Sequence, residues 1–111
     1  MLPENITAIL SRNEHWDGFA ASEPYEAGWA REVVIFVRAL KAPVGPQPIA
    51  RVEMSPDGIH WMDEGSRIAM PTQKDGLACA RVAHFGNFLR VAATFEEGSE
   101  ARVLVTLHAK A

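Results

Sequence analysis

Short stretches in which apolar and polar residues alternate run through most of the chain, each closed within a few residues by Gly, Pro, Asp or Asn. Alternation of period 2 sends one face of a strand into a core and the other into solvent, a pattern no helix can hold on one side. Over residues 49–54, Ile49, Arg51 and Glu53 oppose Ala50, Val52 and Met54. Ser55-Pro56-Asp57-Gly58 follows. Proline suits the second position of a turn, aspartate the third, and glycine the positive φ that closes a bulged hairpin. Residues 59–62 are then the expected returning strand. Further on, Leu89, Val91, Ala93 and Phe95 alternate with Phe88, Arg90, Ala92 and Thr94. Ala101, Val103, Val105 and Leu107 alternate with Arg102, Leu104, Thr106 and His108. The intervening Glu96-Glu97-Gly98-Ser99 predicts that these two strands form a hairpin.

Between these segments the polar stretch 62–66 precedes the apolar run Ile68-Ala69-Met70, residues 72–76 read as a loop, and 77–82 as an alanine-rich strand. Residues 5–11 predict a strand with Ile6, Ala8 and Leu10 on one face, and 15–25 a loop or short edge strand broken by Gly18 and Pro24. Residues 29–40 satisfy two templates. As a helix, Trp29, Val33, Phe36, Val37 and Leu40 make an apolar stripe. As a strand, 33–37 is a β-branched and aromatic run buried on both faces, and such residues lose χ1 freedom in a helix, so the strand is preferred. Six to eight short strands predict an all-β fold, an antiparallel two-sheet sandwich of jelly-roll-like form. An α+β fold with one helix at 29–41 is the alternative. A length of 111 residues suits one β-sandwich domain over 1–111 and lets roughly two thirds of the extended chain's surface be buried.

Lys and Arg number 11 against 14 Asp and Glu, a formal charge of −3, and no basic stripe forms. Partners of the nucleic-acid or anionic-membrane kind are therefore not expected. One cysteine, Cys79, supplies neither an internal disulfide nor a Cys-rich zinc site. Its Ala-Cys-Ala setting predicts a small core hydrophobe. Met-Leu-Pro-Glu-Asn at the start has no basic region followed by an apolar one, which predicts a cytoplasmic or virion-associated protein without a signal peptide.

His15, His60, His84 and His108 stand in four separate segments with no His-x-His, so no metal ligands are assigned. Ser55 and Ser66 sit in turns outside any Gly-x-Ser-x-Gly elbow, and no phosphate-cradling glycine motif occurs. The expectation is a protein that is not an enzyme, with no catalytic residue and no cofactor. The aromatic residues offer more. Trp16, Tyr25, Trp29 and Trp61 lie near predicted loops or strand ends, where they either cap the core or present a ring to a ligand. His15, Trp16 and Asp17, with Tyr25 and Trp61, form the candidate binding set. Strands 5–11 and 101–108 are candidate open edges for self-association.

The run Ser55-Pro56-Asp57-Gly58-Ile59-His60-Trp61, with the alternating strand before it, resembles the Ser-x-Asp-Gly-x-x-Trp hairpin of galactose-binding-like, discoidin-type jelly rolls. It also resembles small β-sandwich domains of phage virion and tail accessory proteins. Asn87-Phe88-Leu89-Arg90-Val91 and the strand at 102–107 are similar to later strands of both, so the resemblance spans about residues 49–110. It implies a jelly-roll-like sandwich and assigns no binding residue. The leading expectation is a structural or interaction module that forms a homo-oligomer or joins a larger assembly, with self or protein partners. Alternatives are a carbohydrate-binding module using the loop aromatics, and an unrecognised metal-dependent enzyme drawing on His60 and His84.

Overall fold

A computed structural model describes residues 5–111; residues 1–4, on which the reading of a leaderless N-terminus largely rests, lie outside it. Nine strands follow in order: β1 (Asn5–Asp17), β2 (Phe19–Ala21), β3 (Tyr25–Glu26), β4 (Glu32–Ala39), β5 (Ile49–Ser55), β6 (Met62–Ala69), β7 (Leu77–Ala83), β8 (Phe88–Thr94) and β9 (Glu100–Lys110). They form two antiparallel sheets, β1-β9-β4-β7 and β2-β8-β5-β6, with β3 also pairing β8. The antiparallel two-sheet sandwich is as expected, and the segment that satisfied both templates is a strand over Glu32–Ala39 rather than a helix. Nine strands exceed the six to eight expected because one edge is broken into β2 and β3, both laid on β8. No helix among the described residues is long and apolar enough to cross a membrane.

The core lies between the sheets and follows the alternation. In β9, Ala101, Val103, Val105, Leu107 and Ala109 are buried, and β4 contributes Val33, Ile35, Val37 and Ala39. The second sheet answers with Ala50, Val52, Leu89, Val91 and Ala93. Val34 and Phe36 are only half-buried, so β4 is covered on one face rather than two. In β1, register shifts between Ile9 and Ser11 and between Ser11 and Glu14 insert two extra residues opposite β9. One extra residue would turn the following side chains outward; two restore the parity, so Trp16 faces the same way as Ala8. The chain then turns at Gly18 (φ 50°) into the second sheet.

Several expectations are corrected. The turn after β5 is longer than four residues, and its returning strand begins at Met62 opposite Met54, not at Ile59. Polar residues 62–66 are themselves strand, bulged at Gly65 (φ 113°), since this solvent-facing edge needs no apolar residues to keep its ladder. Strands β8 and β9 form no hairpin: turn 96–99 carries the chain from one sheet to the other. Strand β9 is consequently interior, while β1 is an edge as expected. Cys79 is exposed on the outer face of edge strand β7, with Ala80 taking the inward position.

Gly58 does adopt positive φ, 79°, and an added Cβ would meet Phe88 only at ordinary contact distances of 3.5–3.6 Å. Its requirement is conformational, not spatial. Gly58→Val should destabilise the protein by about 1–3 kcal/mol, measured by urea unfolding; a neutral result would contradict this turn geometry.

Candidate functional site

Structure divides the predicted set among four places. Consecutive residues of one strand face opposite ways, so Trp16 points into the core, 1% exposed, while His15 and Asp17 point out. Trp16 is therefore a core residue and offers no stacking face, which removes it from the candidate binding set. His15 Nε2 lies 3.2 Å from Asp17 Oδ2 and 3.9 Å from Glu100 Oε2, beside a cavity of about 210 Å³ that Lys41 and Arg102 also line. Tyr25 on β3 stands opposite Leu89 and is half-buried against the core. Trp61 lies in the β5–β6 turn. Trp29, read as a possible core cap, is 38% exposed.

A different cluster forms on the outer face of the second sheet, built around Glu53. Strands β5 and β8 pair in continuous register with Glu53 opposite Arg90, and the period of two brings Arg51 to the same face. Arg51 Nε donates to Glu53 Oε2 at 3.0 Å, and Arg90 Nε donates to Oε1 at 2.8 Å. Burial raises the Glu53 pKa, but the two guanidinium hydrogen bonds and charges outweigh it and hold the carboxyl below its ordinary range. Glu53 is thus an ionised strut with both oxygens occupied. Around it, the Arg90 guanidinium lies 4.3 Å from the Trp61 ring centroid and 5.9 Å from that of Phe19, and Arg51 lies 5.8 Å from Phe19. Phe19 is 59% exposed. The result is an amphipathic platform of aromatic faces and fixed N–H donors, suited to binding. Of its members, the candidate set contained Trp61 alone. The charges at Arg51 and Glu53 were visible on one strand face, but nothing local joins them to Arg90 or Phe19.

Trp61 reaches the platform because of the turn that precedes it. Ser55 Oγ, fully buried, accepts hydrogen bonds from the Asp57 and Gly58 N–H groups at 3.2 and 2.8 Å and donates to Asp57 Oδ1 at 2.9 Å. Asp57 Oδ1 accepts from the Ile59 and His60 N–H groups, both at 2.8 Å, and Oδ2 lies 2.7 Å from His60 Nδ1. The backbone N–H and then the imidazole of His60, followed by the Ile59 N–H, hold the Asp57 carboxyl well below the usual carboxylate range. Serine, aspartate and histidine here are the residue types of a nucleophilic triad in another order: aspartate separates the other two, and the hydroxyl proton is committed to it. Their work is to close the turn. Among the described residues no three His, Cys, Asp or Glu side chains gather to hold a metal.

No protein-family model matches the sequence, and no curated protein matches it. Among solved structures the chain is similar to the SPBc2 prophage-derived protein YomS, with a TM-score of 0.64 and 8% identity over 100% of this chain and 96% of that one. At that identity the likeness is one of fold. A looser superposition, TM-score 0.38 and 9% identity over 97% of this chain and 86% of the other, relates it to a structure described under disulfide-linked pili of Bacillus endospore appendages.

Removing the Glu53 charge tests the cluster. Glu53→Gln leaves two half-buried guanidinium groups sharing a neutral partner and should cost about 2–4 kcal/mol, read from denaturant unfolding. A carboxylate with a lowered folded-state pKa contributes stability that is present above its unfolded value and lost as pH falls through the folded one. The variant should therefore lose less stability than the wild type on acidification from neutrality to below pH ~4; parallel profiles would exclude this role.

Proposed function

We propose that the chain is a non-enzymatic structural module that associates with copies of itself and with neighbouring proteins of a larger, virion-associated or cytoplasmic assembly. One observation carries this reading. A solvent-facing side of an antiparallel sheet is normally polar, yet the outer face of the first sheet carries, among its charged residues, a patch of apolar side chains that includes Ile9, Val34, Phe36, Leu77 and Leu104. Ile9, Thr106, Phe36 and Cys79 stand opposite one another across its four strands. Leu77, 63% exposed, lies on the adjoining row beside Arg38 and Leu104. Nothing in the described chain covers this face, and contiguous exposed apolar surface marks sites of association. The fold likeness to a prophage-derived protein supports the phage side of the sequence resemblance.

A small-ligand reading, with carbohydrate as the ligand, draws support from the Phe19–Arg90–Trp61 platform, where exposed ring and fixed donors lie together. Its sequence basis is narrowed to Trp61, with His15 and Asp17 on the other sheet and Tyr25 largely packed.

Sedimentation velocity should show the average mass rising above that of the monomer as concentration increases; a monomer at every concentration would overturn the self-association part. For the second reading, titration with neutral oligosaccharides should shift indole fluorescence in the wild type and not in Trp61→Ala. A flat wild-type response removes it.

A further inference from the structure

We propose that the free edge of β7 is the self-association seam: the same edge of a second copy pairs with it antiparallel, with Cys79 on the two-fold axis, merging two four-stranded sheets into one of eight. This rests on the self-association reading above and names the surface that performs it.

The four sheet edges are not alike. Strand β1 carries two register shifts, and β6 carries one beside the charged residues Asp63, Glu64 and Arg67. Opposite β6, the edge is broken between β2 and β3 by Pro24, and the Ser22 hydroxyl caps the Val91 N–H at 2.9 Å. Bulges, charges and prolines are the usual means of preventing a further strand from adding. Strand β7 has none of the first and last, holds seven residues in unbroken register with β4, and carries one charge, Arg81.

Its backbone is also oriented for pairing. The Ala39 N–H donates to the Gly76 carbonyl at 3.0 Å. Antiparallel ladders alternate, so Ala78, Ala80 and Val82 direct their N–H and C=O groups to β4, while Leu77, Cys79, Arg81 and Ala83 direct theirs outward. These four residues are exposed as well.

Charge selects a second copy and its register. With Cys79 on the axis, Arg81 stands opposite Leu77 of the other copy, and the next residue along that face is the other copy's Asp75. Within each copy Asp75 Oδ1 is held 2.9 Å from Arg38. Arg81 would approach the same carboxylate from its open side, twice by symmetry. Moving the axis to Ala80 instead makes the two Arg81 side chains diagonal neighbours with no acid between them, an unfavourable placing. In the favoured register the row Ile9–Thr106–Phe36–Cys79 also continues unbroken into its copy. A single strand pair falls below the ~1,200 Å² of stable interfaces, so the dimer is reversible and concentration-dependent.

The test combines sedimentation velocity with cross-linking of the full chain. Directly opposed residues of a hydrogen-bonded pair have Cα atoms ~5.5 Å apart, a separation a disulfide spans. Diamide should therefore join two Cys79 thiols into one disulfide, being itself reduced to the hydrazine, at least tenfold faster than in Arg81→Pro. Proline at 81 removes only an outward N–H, so that variant should keep its thermal melt and lose the dimer. A folded Arg81→Pro that still dimerises, or a wild-type dimer whose Cys79 cross-links no faster than the variant's, overturns the seam while self-association stands. A wild type that never dimerises overturns both. Should Arg81→Pro fail to fold, Leu77→Lys, which sets a second cation against Arg81 of the other copy, must abolish the dimer in its place.

Discussion

Strand β9 is the member on which the rest of the structure depends. Eleven residues of strict alternation are hydrogen-bonded on both sides, to β1 and to β4, and send five aliphatic side chains into the core. A strand in that position has to be regular, because any slip by one residue would exchange its buried and exposed faces against two neighbours at once. The irregularity is carried by β1 instead, where paired bulges lengthen the edge without reversing Trp16. That indole, the largest of the fully buried side chains, is placed by the parity of bulges on an edge strand held against β9.

Where β9 stabilises by apolar burial, the second sheet adds a polar arrangement on its outer face. A carboxylate with so little exposure is costly unless both oxygens are engaged, and Glu53 meets the condition through Arg51 and Arg90. The same cross-strand pairing fixes the guanidinium groups beneath Phe19 and Trp61. Stability and the exposed aromatic platform thus share their residues, and the Ser55–Asp57 turn delivers Trp61 to its place above Arg90.

Much of the fold was legible. Period-2 alternation marked the core faces of β5, β8 and β9, β-branching identified β4 as strand, and Ser-Pro-Asp-Gly placed a positive φ at Gly58. The failures have a common origin. Turn residues at 96–99 signal that the chain reverses but not whether it returns to the same sheet, so they fit a β8–β9 hairpin and the observed crossover equally well. The alanines beside Cys79 fit either face of a strand, so its Ala-Cys-Ala setting does not decide that it faces out. The site was less legible than the fold: of its five members, residues 19, 51, 53, 61 and 90, the candidate set held Trp61, and Trp16 was lost to the core.

By itself the sequence determined which side chains of β5, β8 and β9 turn inward and where the chain must turn, because strand periodicity and turn chemistry are properties of a few consecutive residues. Tertiary structure alone decided which strands are neighbours, and with that the Glu53–Arg90 pair, the interior place of β9 and the open edge of β7. Strand pairing joins residues far apart in the chain, 37 positions in the case of Glu53 and Arg90. Its outcome depends on closing both sheets around one core, which no local segment encodes.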